Sequence, residues 1–193
     1  MTTMNILIVG VGGQGTLLAS RILGELFMQQ GLDVKLSEVH GMAQRGGSVV
    51  TYVRAGESVA SPIITAGEAD MIISFELLET LRWHKHIKEG GIIITSTQKI
   101  SPMPVITGAA EYPEDIIGLI GRAGVEVIPL NAIELARQAG SPRSANVVML
   151  GAASRFMQGG AEIWESAMRA AIRPAFVDMN LKAFELGRNS TLL

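Results

Sequence analysis

The chain has 193 residues, 48% of them hydrophobic and 5% aromatic, with a net charge of −2 and no cysteine. That is enough for one domain whose interior is built from Ile, Val, Leu, Met and Ala. Without cysteine there is no thiolate-held iron–sulfur cluster, Cys nucleophile or disulfide framework, and without a Lys/Arg cluster there is little to attract nucleic acid.

No apolar run approaches the roughly 18 residues of a membrane span, and Met1-Thr2-Thr3-Met4 lacks the basic start of a signal peptide. The expectation is a cytoplasmic protein with no membrane contact. High apolarity without a span leaves two readings, a fully covered parallel sheet or a subunit with large buried interfaces.

Residues 4–10 read as a first strand. Gly10 to Gly15, G-V-G-G-Q-G, lead into a helix-like run from Thr16 to Gln30. Its Leu18, Ile22 and Leu26 form an i, i+4 row beside Ala19, Leu23 and Phe27. Gly31 stops that helix, and Asp33 to Glu38 form a second strand. After a Gly-rich loop at 41–47, Ser48 to Arg54 alternates as a strand does. Ala55-Gly56-Glu57-Ser58 is a turn, and Val59 to Thr65 reads as a second, Pro-interrupted strand. This pattern predicts a β-hairpin inserted in the α/β order, giving a mixed sheet.

Parallel logic then resumes with a strand over Asp70 to Phe75, a helix over Glu76 to Lys88 and a buried strand over Ile92 to Thr95. Residues 98–113 are irregular, followed by a short helix over 113–122 and a strand over Val125 to Leu130. Helices are expected at 131–139, 143–158, 161–172 and 174–187. The fold class is α/β, a Rossmann-like three-layer sandwich with a mostly parallel sheet, an inserted β-hairpin and a helical C-terminal part. One domain spans 1–188, and 189–193 is a tail.

Two loops carry the chemistry. Glycines permit a tight strand-to-helix turn and let backbone N–H groups approach an anion at a helix N-terminus. The spacing of the first loop satisfies G-x-G-x-x-G, and Glu38 lies 23 residues after Gly15, roughly where a dinucleotide site wants an acid for ribose. Gln14 stands where many dinucleotide folds have a small or apolar residue. Three readings stay open: a compact turn satisfied by a neighbouring loop or subunit, a site for a phosphate-bearing ligand such as coenzyme A, or an NAD or FAD site.

The second loop, Glu38-Val39-His40-Gly41-Met42-Ala43-Gln44-Arg45-Gly46-Gly47-Ser48, holds little that would form a core. At the carboxyl end of a parallel sheet it would face the ligand crevice. Arg45 is suited to a two-pronged bond with a carboxylate or phosphate, and Gly46 and Gly47 allow close backbone approach. The alternative is a solvated connection in which Arg45 pairs with Glu38. His40, His84 and His86 have no metal spacing, and no G-x-S-x-G, H-E-x-x-H, Walker or thiamine-type G-D-G…N pattern occurs. Ser144 to Phe156 is almost all small or apolar, which suits a helix buried against the sheet or a subunit contact. Asn146, the odd polar residue there, should have a partner if buried.

On these motifs, G-V-G-G-Q-G at 10–15 and Q-R-G-G-S at 44–48 followed by Val49-Val50-Thr51-Tyr52-Val53-Arg54, the chain resembles the gamma subunit or gamma domain of the 2-oxoacid:ferredoxin oxidoreductases. It is nearest to the small (beta) subunit of the indolepyruvate branch, and the resemblance covers almost the whole length. It implies a non-catalytic accessory chain in a complex that oxidatively decarboxylates a 2-oxoacid, makes an acyl-CoA and reduces ferredoxin. Thiamine diphosphate and the iron–sulfur clusters would then lie on a large partner subunit, with coenzyme A as co-substrate of the complex and no cofactor or metal held here. Partners would be that large subunit, ferredoxin through the complex, and a second copy in a possible homodimer.

The cofactor-binding or subunit-contact residues implied are Gly10, Gly12, Gly13, Gln14, Gly15, Glu38, His40, Gln44, Arg45, Gly46, Gly47 and Ser48. Glu38 to Met42 departs from the pyruvate branch, where aromatic and proline residues precede the R-G. That favours indolepyruvate or another aryl-pyruvate as the substrate. The alternative function is a stand-alone NAD(P)- or FAD-binding Rossmann-type oxidoreductase, and a homo-oligomeric small-molecule sensor is a third reading.

Overall fold

A computed structural model of the chain describes residues 3–41 and 46–190. Its strands are β1 (Met4–Val11), β2 (Asp33–His40), β3 (Ser48–Gly56), β4 (Ala69–Ser74), β5 (Ile87–Ser96) and β6 (Glu126–Leu130). They form one sheet in the order β2-β3-β1-β4-β5-β6. β1, β4, β5 and β6 are parallel neighbours, while β3 runs antiparallel to both β1 and β2. Five strands therefore share one direction and β3 alone is reversed.

The helices are α1 (Thr16–Gln29), α2 (Leu77–Trp83), α3 (Met103–Ile106), α4 (Ile116–Arg122), α5 (Ala132–Ala139), α6 (Ala145–Ala153), α7 (Ala161–Ala171) and α8 (Val177–Arg188). Alternation along the central strands feeds two cores. Ile6 and Ile8 join α1, α6 and α8 on one face, and Leu7 and Val9 join α2 and α4 on the other. The sequence-predicted three-layer α/β arrangement is therefore present. Among the described residues no helix is long and apolar enough to cross a membrane.

The predicted inserted hairpin needs correcting. Its first strand, β3, is present, but it pairs with β1 (Ile8↔Thr51) and β2 (Leu36↔Val53), and residues 59–65 form no strand. Pro62 has no N–H for a ladder, and side chains satisfy this segment instead. Asp33 Oδ2 accepts from Val59 N at 2.9 Å, while Arg54 Nη1 donates to the carbonyls of Ser61 (3.1 Å) and Ile63 (3.0 Å). The antiparallel neighbour that β3 does have in sequence is β2.

The C-terminal apolar run is a buried helix. All of Asn146 to Ala153 in α6 is buried, and α6 crosses α8 at backbone distance. A Cβ on Gly151 would lie 2.0 Å from the Phe184 carbonyl oxygen, and one on Gly187 would lie 2.0 Å from that of Val148. Glycine at both positions sets the crossing distance. The expected tail begins inside the fold, since Ser190 N donates to Gly187 O and the Ser190 carbonyl accepts from Arg155 Nη1 at 2.9 Å.

Candidate functional site

The carboxyl ends of β1, β4 and β5, the N-terminus of α1 and the start of α6 converge on one cavity of about 440 Å³. Gly13, Gly15, Phe75, Gln98, Arg143 and Asn146 are among its lining residues. A larger cavity of about 820 Å³ lies at the other end of the sheet, beside Met4, Phe27, Leu32 and Phe156, and touches neither Gly-rich loop.

The two Gly-rich loops meet directly. Gly12 N donates to Gly47 O at 2.8 Å, and Gly46 N donates to Gly12 O at 3.3 Å. Both backbone groups of Gly12 are thereby committed to the second loop. Gly46 has φ +78° and Gly13 has φ +104° with open space where a side chain would be.

Gln14 folds back over the strand ends. Its Oε1 accepts from Val11 N at 2.6 Å, and its Nε2 donates to Phe75 O and Gln98 Oε1, both at 2.9 Å. One carboxamide thus joins the loops after β1, β4 and β5. It also fixes Gly10 beneath it, where a Cβ would sit 2.8 Å from Gln14 Oε1.

Gly15 starts α1 in a left-handed conformation, φ +86°, with no side-chain cap on the helix. An added Cβ would lie 2.6 Å from Asn146 Nδ2. Asn146 is 3% exposed, and its Nδ2 donates to the Gly15 carbonyl at 3.1 Å, the partner its burial called for. Its Oδ1 has no donor. Arg143 lines the same cavity, and no described carboxylate pairs with it.

Glu38, at the exposed end of β2, accepts from Thr16 Oγ1 and Thr51 Oγ1, each at 3.2 Å. His40 is exposed, with Nδ1 3.1 Å from Gly41 O. Ser48 Oγ donates to Glu79 Oε2, a carboxylate that also accepts from Arg82 Nε at 3.2 Å. Gln44 and Arg45 lie outside the described residues, as does any pairing of Arg45 with Glu38.

Sequence reasoning singled out Asn146 as a core oddity but missed Gln98 and Arg143, which carry no motif. It also missed the buried Glu76. That carboxylate caps α2 through Glu79 N (3.0 Å) and accepts from Ile100 N (2.9 Å) and Tyr112 OH (2.6 Å), pinning the irregular segment after β5. Burial first, and then the bond to Glu76, push the Tyr112 hydroxyl well above its usual range, so it remains a donor.

The family model for pyruvate ferredoxin/flavodoxin oxidoreductase matches residues 5–190. The chain belongs to that family. It is 44% identical to the indolepyruvate oxidoreductase subunit IorB of Archaeoglobus fulgidus, over 98% of this chain and 96% of that one. Its fold matches the gamma subunit of a keto/oxoacid ferredoxin oxidoreductase from Geobacter sulfurreducens (TM-score 0.70, 24% identity, 95% of each chain). It also matches part of the 2-oxoglutarate:ferredoxin oxidoreductase from Magnetococcus marinus, solved with 2-oxoglutarate, coenzyme A and succinyl-CoA bound (TM-score 0.73, 21% identity, 97% of this chain and 31% of that one).

These relatives overturn the stand-alone NAD(P)- or FAD-binding alternative, and the geometry explains why the glycine motif suggested it. A dinucleotide site places the acidic end of β2 beside β1. Here β3 lies between the two, the Glu38 carboxylate is engaged by two threonines, and Gln14 covers the strand ends.

Proposed function

We propose that the chain is the small, gamma-type subunit of a complex that oxidatively decarboxylates a 2-oxoacid to an acyl-CoA and passes the electrons to ferredoxin. Indolepyruvate or another aryl-pyruvate is the proposed substrate. The observation that carries this reading is the 44% identity to an indolepyruvate oxidoreductase subunit over nearly the full length of both chains. Thiamine diphosphate and the iron–sulfur clusters are assigned to a large partner subunit. The donor set here does not fit a cluster, since no cysteine thiolate is available to hold the irons. Bound on that partner, thiamine diphosphate would supply the carbanion stabilisation that decarboxylation of a 2-oxoacid needs.

On this reading the loops at 10–15 and 38–48 are the surface that meets partner or co-substrate, with Arg45 as the residue for a partner carboxylate or a phosphate. The region 1–188 acts as one unit. The glycine contacts between Gly12, Gly46 and Gly47 support this, because they make the two loops one surface.

The test is co-expression with a candidate large subunit from the same organism, followed by a panel of 2-oxoacids assayed for CoA-dependent ferredoxin reduction. The purified pair should turn over indolepyruvate faster than pyruvate, and the isolated chain should be colourless and inactive. Flavin bound to the isolated chain, or 2-oxoacid oxidation without a partner, would refute the assignment.

A further inference from the structure

We propose that the free edge of the sheet, β2, is a contact with a second copy of this chain. The two β2 strands pair antiparallel about a two-fold axis through Val34, so that each Asp33 faces Lys35 of the second copy. The inference goes beyond the subunit assignment and does not depend on which 2-oxoacid the complex uses.

The sheet has two edges, and they are built differently. β6 is five residues long and carries Pro129, which has no N–H to offer a further strand. β2 is eight residues long, holds no proline, and pairs with β3 in unbroken register from Asp33↔Gly56 to His40↔Val49. Since β3 is its one neighbour in the sheet, its outward N–H and C=O groups form a template for another strand. Leu36 and Val39 stand exposed on its two faces.

The charges of β2 choose both the occupant and the register. Opposite residues in a continued sheet share a face, so the two-fold axis must pass through a residue of the strand. An axis at Lys35 sets that cation against its own copy, and an axis at Glu38 does the same to a carboxylate. Axes at Leu36 or Ser37 set Glu38 against an apolar residue, and an axis at Val39 sets Ser37 against Gly41. The axis at Val34 is self-complementary. Val34 meets Val34 and Leu32 meets Leu36 twice on the α1 face, while Asp33 meets Lys35 twice on the other. Asp33 and Lys35 already pair within one chain, both half-buried, so the four charges would alternate in one neutral cluster.

The layer above the sheet agrees. α1 packs on β2 and β3, and the axis lies half a strand spacing outside β2. Two α1 helices would then run about 10 Å apart, a normal packing distance. Leu36 lies beneath Gly24, where a Cβ would be 3.2 Å from its Cδ1. Val34 therefore lies about one turn further along α1, near Met28, which is 53% exposed. Pairing covers Leu36 and Met28 together.

The experiment uses the full chain, which has no cysteine, so single engineered thiols report the register without background. Only the on-axis residue faces its own copy, with Cβ atoms about 4.5–5.5 Å apart. Val34→Cys should therefore form an intermolecular disulfide under mild oxidation. Leu36→Cys and Ser37→Cys, whose copies would lie about 13 Å or more apart, should not. Sedimentation of the parent chain should show a monomer–dimer equilibrium. Lys35→Glu should weaken it at least about tenfold, and Asp33→Lys combined with Lys35→Glu should recover part of that loss.

A parent chain that stays monomeric up to about 100 μM would overturn the inference. So would dimerisation unchanged in Lys35→Glu, or a disulfide that forms at 36 or 37 and not at 34. None of these outcomes touches the subunit assignment, which the 2-oxoacid panel decides.

Discussion

Replacing Gln14 separates two roles that the glycine loop could have. Its carboxamide makes three hydrogen bonds, to Val11 N, Phe75 O and Gln98 Oε1, and all three are partly buried. At a net 0.5–1.5 kcal/mol each, Gln14→Ala should cost about 2–4 kcal/mol. For a chain of this size each kcal/mol lowers Tm by about 2–4 °C, so the shift should lie between about 5 and 15 °C. Gln14→Met keeps the length and most of the volume while removing every donor and the acceptor. It should therefore lose nearly as much as the alanine variant. Calorimetry and guanidinium denaturation of the isolated chain give both numbers. If either variant stays within about 0.5 kcal/mol of the parent, Gln14 does not tie the strand ends together. If only methionine restores stability, side-chain volume and not hydrogen bonding holds this loop.

Two further outcomes follow from other parts of the chain. Gly151→Ala places a methyl 2.0 Å from the Phe184 carbonyl in the α6–α8 crossing and should cost about 3 kcal/mol or more, whereas Gly121→Ala in α4 meets nothing within 4 Å and should gain about 0.5–1 kcal/mol; paired denaturation curves decide it. Burial holds the His86 imidazole below its ordinary value of 6.5, so the folded form stays neutral where the unfolded chain takes up a proton. Its contribution is complete above pH 6.5 and is lost as pH falls toward the lower folded value, so His86→Phe, which keeps a ring against Trp83, should flatten that limb of a stability–pH curve.

Much of this fold is written locally, and what is not local was misread. The periodicity of Leu18, Ile22 and Leu26, the stop at Gly31 and the apolar strands expected at 70–75 and 92–95 follow from rules that look a few residues along the chain, whereas the helix expected through Lys88 ends at Trp83 and β5 already starts at Ile87. The pairing of β3 does not follow from such rules. Alternation identifies a strand but is silent on its neighbour, and the nearest apolar run, 59–65, looked like the partner. Only in three dimensions do Asp33 and Arg54 take up that run's backbone and leave β2 and β1 to flank β3. The site divides in the same way. Gly12, Gln14 and Gly15 stand out because backbone geometry demands them. Gln98 and Arg143 act through position alone, 84 residues from Gln14 in the first case, and residue type gives no signal of that.

The wedged strand also decides what the glycine motif means. With β3 between β1 and β2, the end of β2 lies two strand spacings from β1, about 9.5 Å, instead of one, and the acid that would hold a ribose in a dinucleotide site is carried with it. The same strand is entered through Gly46 and Gly47, which brings their backbone onto Gly12 and uses the amide that would otherwise face a pyrophosphate. The uncapped start of α1 at Gly15 lies on the α6 side, where Arg143 and Asn146 stand. A shared glycine spacing thus stands in different surroundings, because the strand order around it differs.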